Sequence, residues 1–169
     1  MSAQQASFAE FYAQTRDDCL RAVFASIGDR QAAEDCVAEA FARAWASWRK
    51  VSAHPVPRAW VIRTALNLSV SSWRRRRREV AVGELTEPRG GWPPISGSQD
   101  TDSGIMTILA GLPLRQRQVV ALRVFLDLDT AATAQALGIA PGTVTAHLAR
   151  ATSALREQLT HAAPEEHDG

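Results

Sequence analysis

Seven side chains on one face of a single stretch carry most of the binding chemistry in this sequence. From Pro57 to Arg78 the chain reads P-R-A-W-V-I-R-T-A-L-N-L-S-V-S-S-W-R-R-R-R-R. At about 100° per residue, Trp60, Arg63, Thr64, Asn67, Ser71, Arg74 and Arg78 fall along one line. Guanidinium groups neutralise phosphates, Asn and Arg can pair with base edges, and an aromatic ring can stack on an unpaired base. The face therefore suits nucleic acid; the plainer alternative is a solvated amphipathic helix with a basic end. A second cluster lies toward the other terminus, where Thr145, Ala146, Ala149 and Arg150 share a face flanked by Thr143 and His147. Arg150 can bond guanine O6 and N7 together, Thr145 can reach a base or a phosphate, and alanine methyls can touch thymine methyls. Nothing comparable exists for catalysis. His54, His147, His161 and His167 have no metal-ligand spacing, there is no Gly-rich phosphate loop, and no nucleophile sits in a recognisable motif. The expectation is a protein that binds rather than one that turns over a substrate, with no metal and no cofactor.

Helices must position these groups. Behind the first face, Ile62, Ala65, Leu66, Ser69 and Trp73 form a stripe wide enough to pack on a core, and Pro57 suits the first turn of a helix. Upstream, Ser7 and Glu10 fit a capping box, and Phe8, Phe11, Tyr12, Cys19, Leu20, Val23, Phe24 and Ile27 follow at helical spacing up to Gly28. Asp29 can cap a second helix with Ala33, Cys36, Val37, Ala40, Phe41, Ala44, Trp45 and Trp48 inward. Its outer face aligns Asp35, Ala38, Glu39, Ala42 and Ala46, carboxylates among small side chains: either a solvated face or a docking face for a basic partner. A short Pro-containing loop between Lys50 and Pro57 leads into the arginine-bearing helix. These three helices predict one small domain, residues 1–79, with Trp45, Trp48 and Trp73 supplying much of the buried apolar area.

Periodicity then stops. Residues 80–103 are rich in Gly, Pro, Ser and acid and read as an extended linker carrying a single aromatic, Trp92. A second helical unit, residues 104–160, begins with Ile105, Ile108, Leu109 and Leu112. It continues through L-R-Q-R-Q-V-V-A-L-R-V-F-L, an apolar helix that still carries Arg115, Arg117 and Arg123. Asp129 can cap a short helix, Thr130 to Leu137, followed by a tight turn at Gly138-Ile139-Ala140. Pro141-Gly142-Thr143 then opens a longer helix whose core stripe is Val144, Leu148, Ala151, Leu155 and Leu159. Short helix, glycine turn and longer helix is the helix-turn-helix pattern, whose second helix enters the major groove; a plain helical hairpin is the alternative. Residues 161–169 make a polar tail. The fold expected is all-α, two small helical domains on an extended linker.

Charge and composition set bounds on these readings. The 169 residues carry a net charge of only +1, so attraction to nucleic acid must be local: the run Arg74 to Arg78 stands against an acidic tail of Glu165, Glu166 and Asp168. No apolar run approaches the roughly 20 residues of a membrane span, and the polar N-terminus lacks the pattern of a signal peptide. A cytoplasmic protein without membrane contact of its own is therefore expected. Cys19 and Cys36 fall on apolar stripes and read as small core residues.

Four segments in order now resemble the extracytoplasmic-function class of bacterial sigma factors. They are A-E-D-C-V-A-E-A-F-A-R-A-W at Ala33 to Trp45, P-R-A-W-V-I-R-T-A-L-N at Pro57 to Asn67 with the arginine run, L-P-L-R-Q-R-Q-V-V-A-L-R at Leu112 to Arg123, and A-L-G-I-A-P-G-T-V-T-A-H-L-A-R-A at Ala136 to Ala151. The resemblance implies a promoter-specificity subunit whose partners are promoter DNA and core RNA polymerase, gripped at the beta-prime clamp helices and the beta flap. An anti-sigma factor is a further candidate partner. It implies that Asp35, Glu39 and Ala42 face the clamp helices, and that Ser52, Ala53 and His54 form the loop that captures a flipped minus-10 base. Arg58, Trp60, Arg63, Asn67, Arg74 and Arg78 would hold the melting minus-10 strand. Thr145, Ala146, Ala149 and Arg150 would read the minus-35 element, with Arg123 and Thr143 on its backbone. The chain also departs from the family pattern. Ala38 stands where glutamine is usual, Thr145 and His147 replace commonly basic residues, Ala131, Ala132 and Thr133 replace glutamates and isoleucine, and Ala140 is a poorer cap than serine. These departures imply a weaker minus-35 contact and more reliance on the first domain. A free-standing helix-turn-helix regulator, the main rival, accounts for the second half but leaves the acidic alanine-lined helix and the aromatic-basic face unexplained.

Overall fold

The computed structural model describes residues 1–80 and 102–162, and every regular element among them is an α-helix. The order is α1 (Ala3–Ile27), α2 (Arg30–Ala46), α3 (Trp48–Ser52), α4 (Pro57–Val80), α5 (Asp102–Ala110), α6 (Leu114–Phe125), α7 (Thr130–Leu137) and α8 (Pro141–Ala162). Most of the expected linker, with Trp92, and the acidic tail lie outside the described residues.

Local chemistry sets most of the boundaries. Gly28 ends α1 at φ 75° and donates its N–H to the Phe24 carbonyl oxygen, a left-handed cap that a β-carbon would strain. One residue on, Asp29 starts α2 by accepting from Ala32 N (2.9 Å). The same pair recurs in the second half, where Asp129 accepts from Ala132 N (2.7 Å) and Gly138, at φ 66°, closes α7. The capping box expected at Ser7 and Glu10 is not formed. Ser2 and Gln5 make it instead, Ser2 N–H donating to Gln5 Oε1 (2.7 Å) and Gln5 N–H to Ser2 Oγ (3.2 Å), because the helix begins about a turn earlier and leaves Ser7 in its interior. The loop expected from Lys50 is likewise shorter, since α3 extends through Ser52.

Packing of the first half follows the apolar stripes, with corrections at the tryptophans. Cys19, Val23, Ile27, Ala33, Val37, Ala40, Phe41, Ala44, Ile62, Ala65 and Leu66 are all buried, joined by Ala59 and Val61 of α4. Each buried branched side chain contributes roughly 1.5–3 kcal/mol of transfer free energy. Of the three tryptophans expected in this core, Trp48 is buried whereas Trp45 and Trp73 are 41% and 40% exposed. Trp48 turns inward because α3 changes direction after Ser47; there it meets Phe8 and Phe11, with ring centroids 5.2 and 5.1 Å away. Trp73 instead carries the Arg77 guanidinium, 4.8 Å from its ring.

In the second half α6, α7 and α8 pack together around Val119, Leu122, Leu126, Leu128, Val144 and Ala151. Ile105 is 53% exposed and Met106 is buried in its place beside the expected Leu109 and Leu112, and Leu159 is 57% exposed. Arg117 is 5% exposed.

The two halves do not keep separate cores. α1 lies against α6 and α4 against α7, so the buried apolar residues of both halves form one continuous cluster. Units of this size are close to the lower limit for a self-sufficient core, and sharing surface buries more of each.

Candidate nucleic-acid interface

The polar face of α4 is positioned by the buried face behind it. With Val61, Ile62, Ala65 and Leu66 held in the core, helical geometry turns Arg63, Asn67, Ser71, Arg74 and Arg78 outward, with Trp60 and Thr64 half-buried at the margin. Along that margin α4 and the end of α2 enclose a groove of about 480 Å³ lined by Arg43, Ala46, Ser47, Trp60, Thr64, Asn67, Leu68 and Ser71. Ala46 and Leu68 provide apolar contact and Trp60 an aromatic wall; the remaining residues supply polar groups. Thr64 Oγ1 donates to the Trp60 carbonyl oxygen (2.9 Å) and Ser71 Oγ to that of Asn67 (3.0 Å). Their hydroxyl hydrogens are thus spent within the helix, leaving oxygen lone pairs as acceptors, while the Asn67 amide and the Arg43 guanidinium remain as donors. A flat heteroaromatic ring with both donors and acceptors on its edge matches this lining.

Some expected residues lie in the groove and some do not. Trp60 and Asn67 line it; Arg63, Arg74 and Arg78 lie elsewhere on α4. Arg58 is half-buried near the start of α4, with Nε enclosed and unpartnered. Ser52 ends α3, and Ala53 and His54 form the turn after it without lining the groove. Val56 N–H donates to His54 Nδ1 (3.0 Å), which pins the imidazole in that turn. The lining residues missed are Leu68 of α4 and, on α2, Arg43 and Ser47; the α2 pair carries the polar chemistry. The pair continues the outer line of α2 from Asp35 and Glu39 in steps of four, so its outward position was legible in the spacing but its place in the groove was not.

On that line Asp35, Ala38, Glu39, Ala42 and Ala46 are all exposed, as expected. Gln31 Nε2 donates to Asp35 Oδ1 (3.1 Å), and Arg43 Nε donates to Glu39 Oε1 (2.8 Å). The second contact ties the acidic face to the groove, because the same arginine belongs to both.

The second interface is sparer. On α8, Thr143, Thr145, Ala149 and Arg150 are exposed while Ala146 and His147 are half-buried. Thr145 Oγ1 donates to the Pro141 carbonyl oxygen (3.3 Å). Arg123 is half-buried, and its Nη1 donates to the Leu128 carbonyl oxygen (2.8 Å), bracing the connection between α6 and α7. Arg150 is therefore the one cation exposed at the front of α8. Among the described residues no cluster of His, Cys, Asp and Glu is arranged to hold a metal ion, and no helix is long and apolar enough to cross a membrane. Cys19 is fully buried, which pushes its thiol up to about 12, and burial raises that of Cys36 as well.

Comparison with known proteins gives a consistent result for both halves. Residues 11–79 match the family described as Sigma-70 region 2, and residues 103–155 match Sigma-70, region 4. An RNA polymerase sigma-E factor of Streptomyces coelicolor is 32% identical over 155 residues, 89% of this chain and 85% of that one. The ECF RNA polymerase sigma factor SigL of Mycobacterium tuberculosis is 33% identical over 139 residues, 78% and 77% of the two chains. Among solved structures, the sigma factor RpoE of Bartonella quintana, crystallised with the anti-sigma factor NepR, superposes with a TM-score of 0.74. It is 24% identical, and the match covers 93% of this chain and 99% of that one.

Proposed function

Because the chain belongs to the extracytoplasmic-function class of sigma-70 RNA polymerase sigma factors, and is thus a promoter-specificity subunit, we propose that the groove between α2 and α4 receives an unpaired base of the minus-10 element. Trp60 stacks on the base; Asn67 and Arg43 donate to its edge, and the Thr64 and Ser71 oxygens accept from it. The groove lining is the observation that carries this reading. Ser52, Ala53 and His54 border the entrance to α4, and Arg58, Arg63, Arg74 and Arg78 follow the phosphates of the melted strand. Residues 1–79 form the minus-10 unit and residues 104–160 the minus-35 unit, joined by 80–103 and followed by the tail 161–169.

In the second unit α8 enters the major groove at minus-35, where Arg150 makes the principal base contact. Thr145, Ala146 and Ala149 lie alongside it, with Thr143 and Arg123 toward the backbone. Core RNA polymerase docks its beta-prime clamp helices on Asp35, Glu39 and Ala42, and its beta flap holds the second unit. An anti-sigma factor is the partner we assign for restraint, since a protein of like fold was crystallised with one. Sigma factors are non-catalytic DNA-recognition subunits, and we assign this chain no reaction of its own and a place in the cytoplasm at the nucleoid.

The test places 2-aminopurine at successive non-template minus-10 positions in a holoenzyme-promoter complex. One position should change fluorescence as the base enters the groove, and Trp60→Ala and Asn67→Ala should abolish that change. A signal retained by both variants removes the groove from base capture.

A further inference from the structure

The groove beside α4 is lined by one guanidinium, and that guanidinium is braced from outside it. Arg43 lines the groove from α2, while Trp60, Thr64, Asn67 and Ser71 line it from α4. Its Nε donates to Glu39 Oε1 at 2.8 Å, one turn back along α2. Glu39 is not among the lining residues. The Nε–H edge of the fork is therefore spent outside the groove, and the Nη1–Nη2 edge, two donors side by side, is left to face into it.

The neighbouring pairs on α2 show what is particular here. Arg30 Nε donates to Glu34 Oε1 (3.3 Å) and Gln31 Nε2 to Asp35 Oδ1 (3.1 Å) at the same four-residue spacing, but neither Arg30 nor Gln31 lines the groove. The Arg43 and Glu39 side chains are 55% and 51% exposed, so their pairing contributes little to stability. Its consequence is direction: a long side chain with many rotamers is held by one edge on the rim of the groove.

The edge that remains can choose among bases. Two neighbouring donors match two neighbouring acceptors, which guanine offers at N7 and O6. Beyond O6, guanine carries the N1 and N2 hydrogens, which match the Thr64 and Ser71 oxygens left as acceptors. Cytosine offers N3 and O2 to the fork but has a single amino group beside them, so it uses the lining less fully. Adenine places its amino group between N7 and N1, and thymine places N3–H between O4 and O2. With either of these, the second arm of the fork meets a hydrogen or a methyl group instead of an acceptor.

We propose that Arg43 is the specificity-determining residue of the groove, that the base it selects is guanine, and that Glu39 is the positioning residue that aims its fork. This rests on the reading of the groove as the site of base capture. Glu39 also stands on the acidic face assigned to polymerase. The test is therefore made in assembled holoenzyme and read as a ratio between bases, from which docking affinity cancels.

Promoters carrying each of the four bases at the position reported by 2-aminopurine compete for holoenzyme. The wild type should favour guanine over adenine and thymine on the order of tenfold, the scale of one bidentate arginine contact, with cytosine between. Arg43→Lys keeps the charge but has no fork, and should remove most of that preference. Glu39→Ala should lower it about two- to fivefold, the scale of an exposed ion pair. Glu34→Ala breaks the equivalent pair away from the groove and should leave the ratio unchanged. Adenine or thymine at or above guanine in the wild type overturns the proposal, as does an unchanged preference in Arg43→Lys. A Glu39→Ala ratio equal to that of Glu34→Ala overturns the positioning role. Trp60→Ala and Asn67→Ala separate this inference from the reading beneath it. If both keep the 2-aminopurine signal, the groove is not the site of capture and both claims fall. If they abolish it while the wild type treats all four bases alike, capture stands and the choice by Arg43 alone is lost.

Discussion

The two helices proposed to face DNA are built on opposite plans. α4 turns a half-buried tryptophan, an amide, two hydroxyls and several arginines toward one side, and α2 completes a groove beside it. α8 exposes two threonines, an alanine and a single arginine on the face proposed for the major groove. An unpaired base can be held by stacking and edge contacts together, whereas a duplex read by one arginine has little to anchor it beyond that bidentate pair. On the proposed reading, the contrast places most of the base discrimination in the first half, with the second contributing chiefly position.

Breaking the rich side should have the largest effect. Trp60→Ala is expected to cost about 3 kcal/mol in promoter opening, the upper end of the stacking range, measured as the open-complex equilibrium with permanganate footprinting. Trp60→Phe should recover most of it, and a loss below tenfold for the alanine variant would bring the two helices level. Next, Arg150→Ala should cost about 2 kcal/mol and relax preference at one minus-35 base pair, read by competition among single-base promoter variants. An equal loss on all variants would make Arg150 a phosphate contact.

Two smaller changes sharpen the contrast. Ala140→Ser supplies a side-chain cap at the start of α8 and should raise stability by about 1 kcal/mol in urea unfolding. Glu39→Gln removes the partner of Arg43. It should weaken polymerase binding by roughly 0.5 kcal/mol, the scale of an exposed ion pair, while leaving the thermal midpoint unchanged and freeing Arg43 for the groove. The smallest effect is on the shared core. The Cys19 thiol is raised to about 12 in the folded protein from an ordinary value of 9.0, so its burial favours the neutral form. That contribution is complete below pH 9 and declines as pH rises toward 12; Cys19→Ala should flatten the upper part of the stability curve.

Much of this was legible before any coordinates. The caps at Asp29 and Asp129, the glycine stops at Gly28 and Gly138, the limits of α7 and the outward line on α4 each follow from local rules whose causes lie within a few residues. Trp73 and Trp45 were misplaced because periodicity states which side of a helix is apolar but not how far a neighbouring helix extends to cover it. Arg43 and Ser47 escaped notice because a groove belongs to two helices at once, and only their crossing brings an α2 side chain beside Asn67.

The chain's own order of residues thus determined the long helices, the caps at Gly28, Asp29, Asp129 and Gly138, the polar face of α4 and the sigma-factor character of both halves, since all of these depend on neighbours within a turn or on motif order. Tertiary structure alone decided that Arg117 is enclosed, that Arg63 meets the Gln135 carbonyl and that the two halves share one apolar cluster. Those are contacts between segments tens of residues apart, and their geometry comes from how packed surfaces fit rather than from any local pattern.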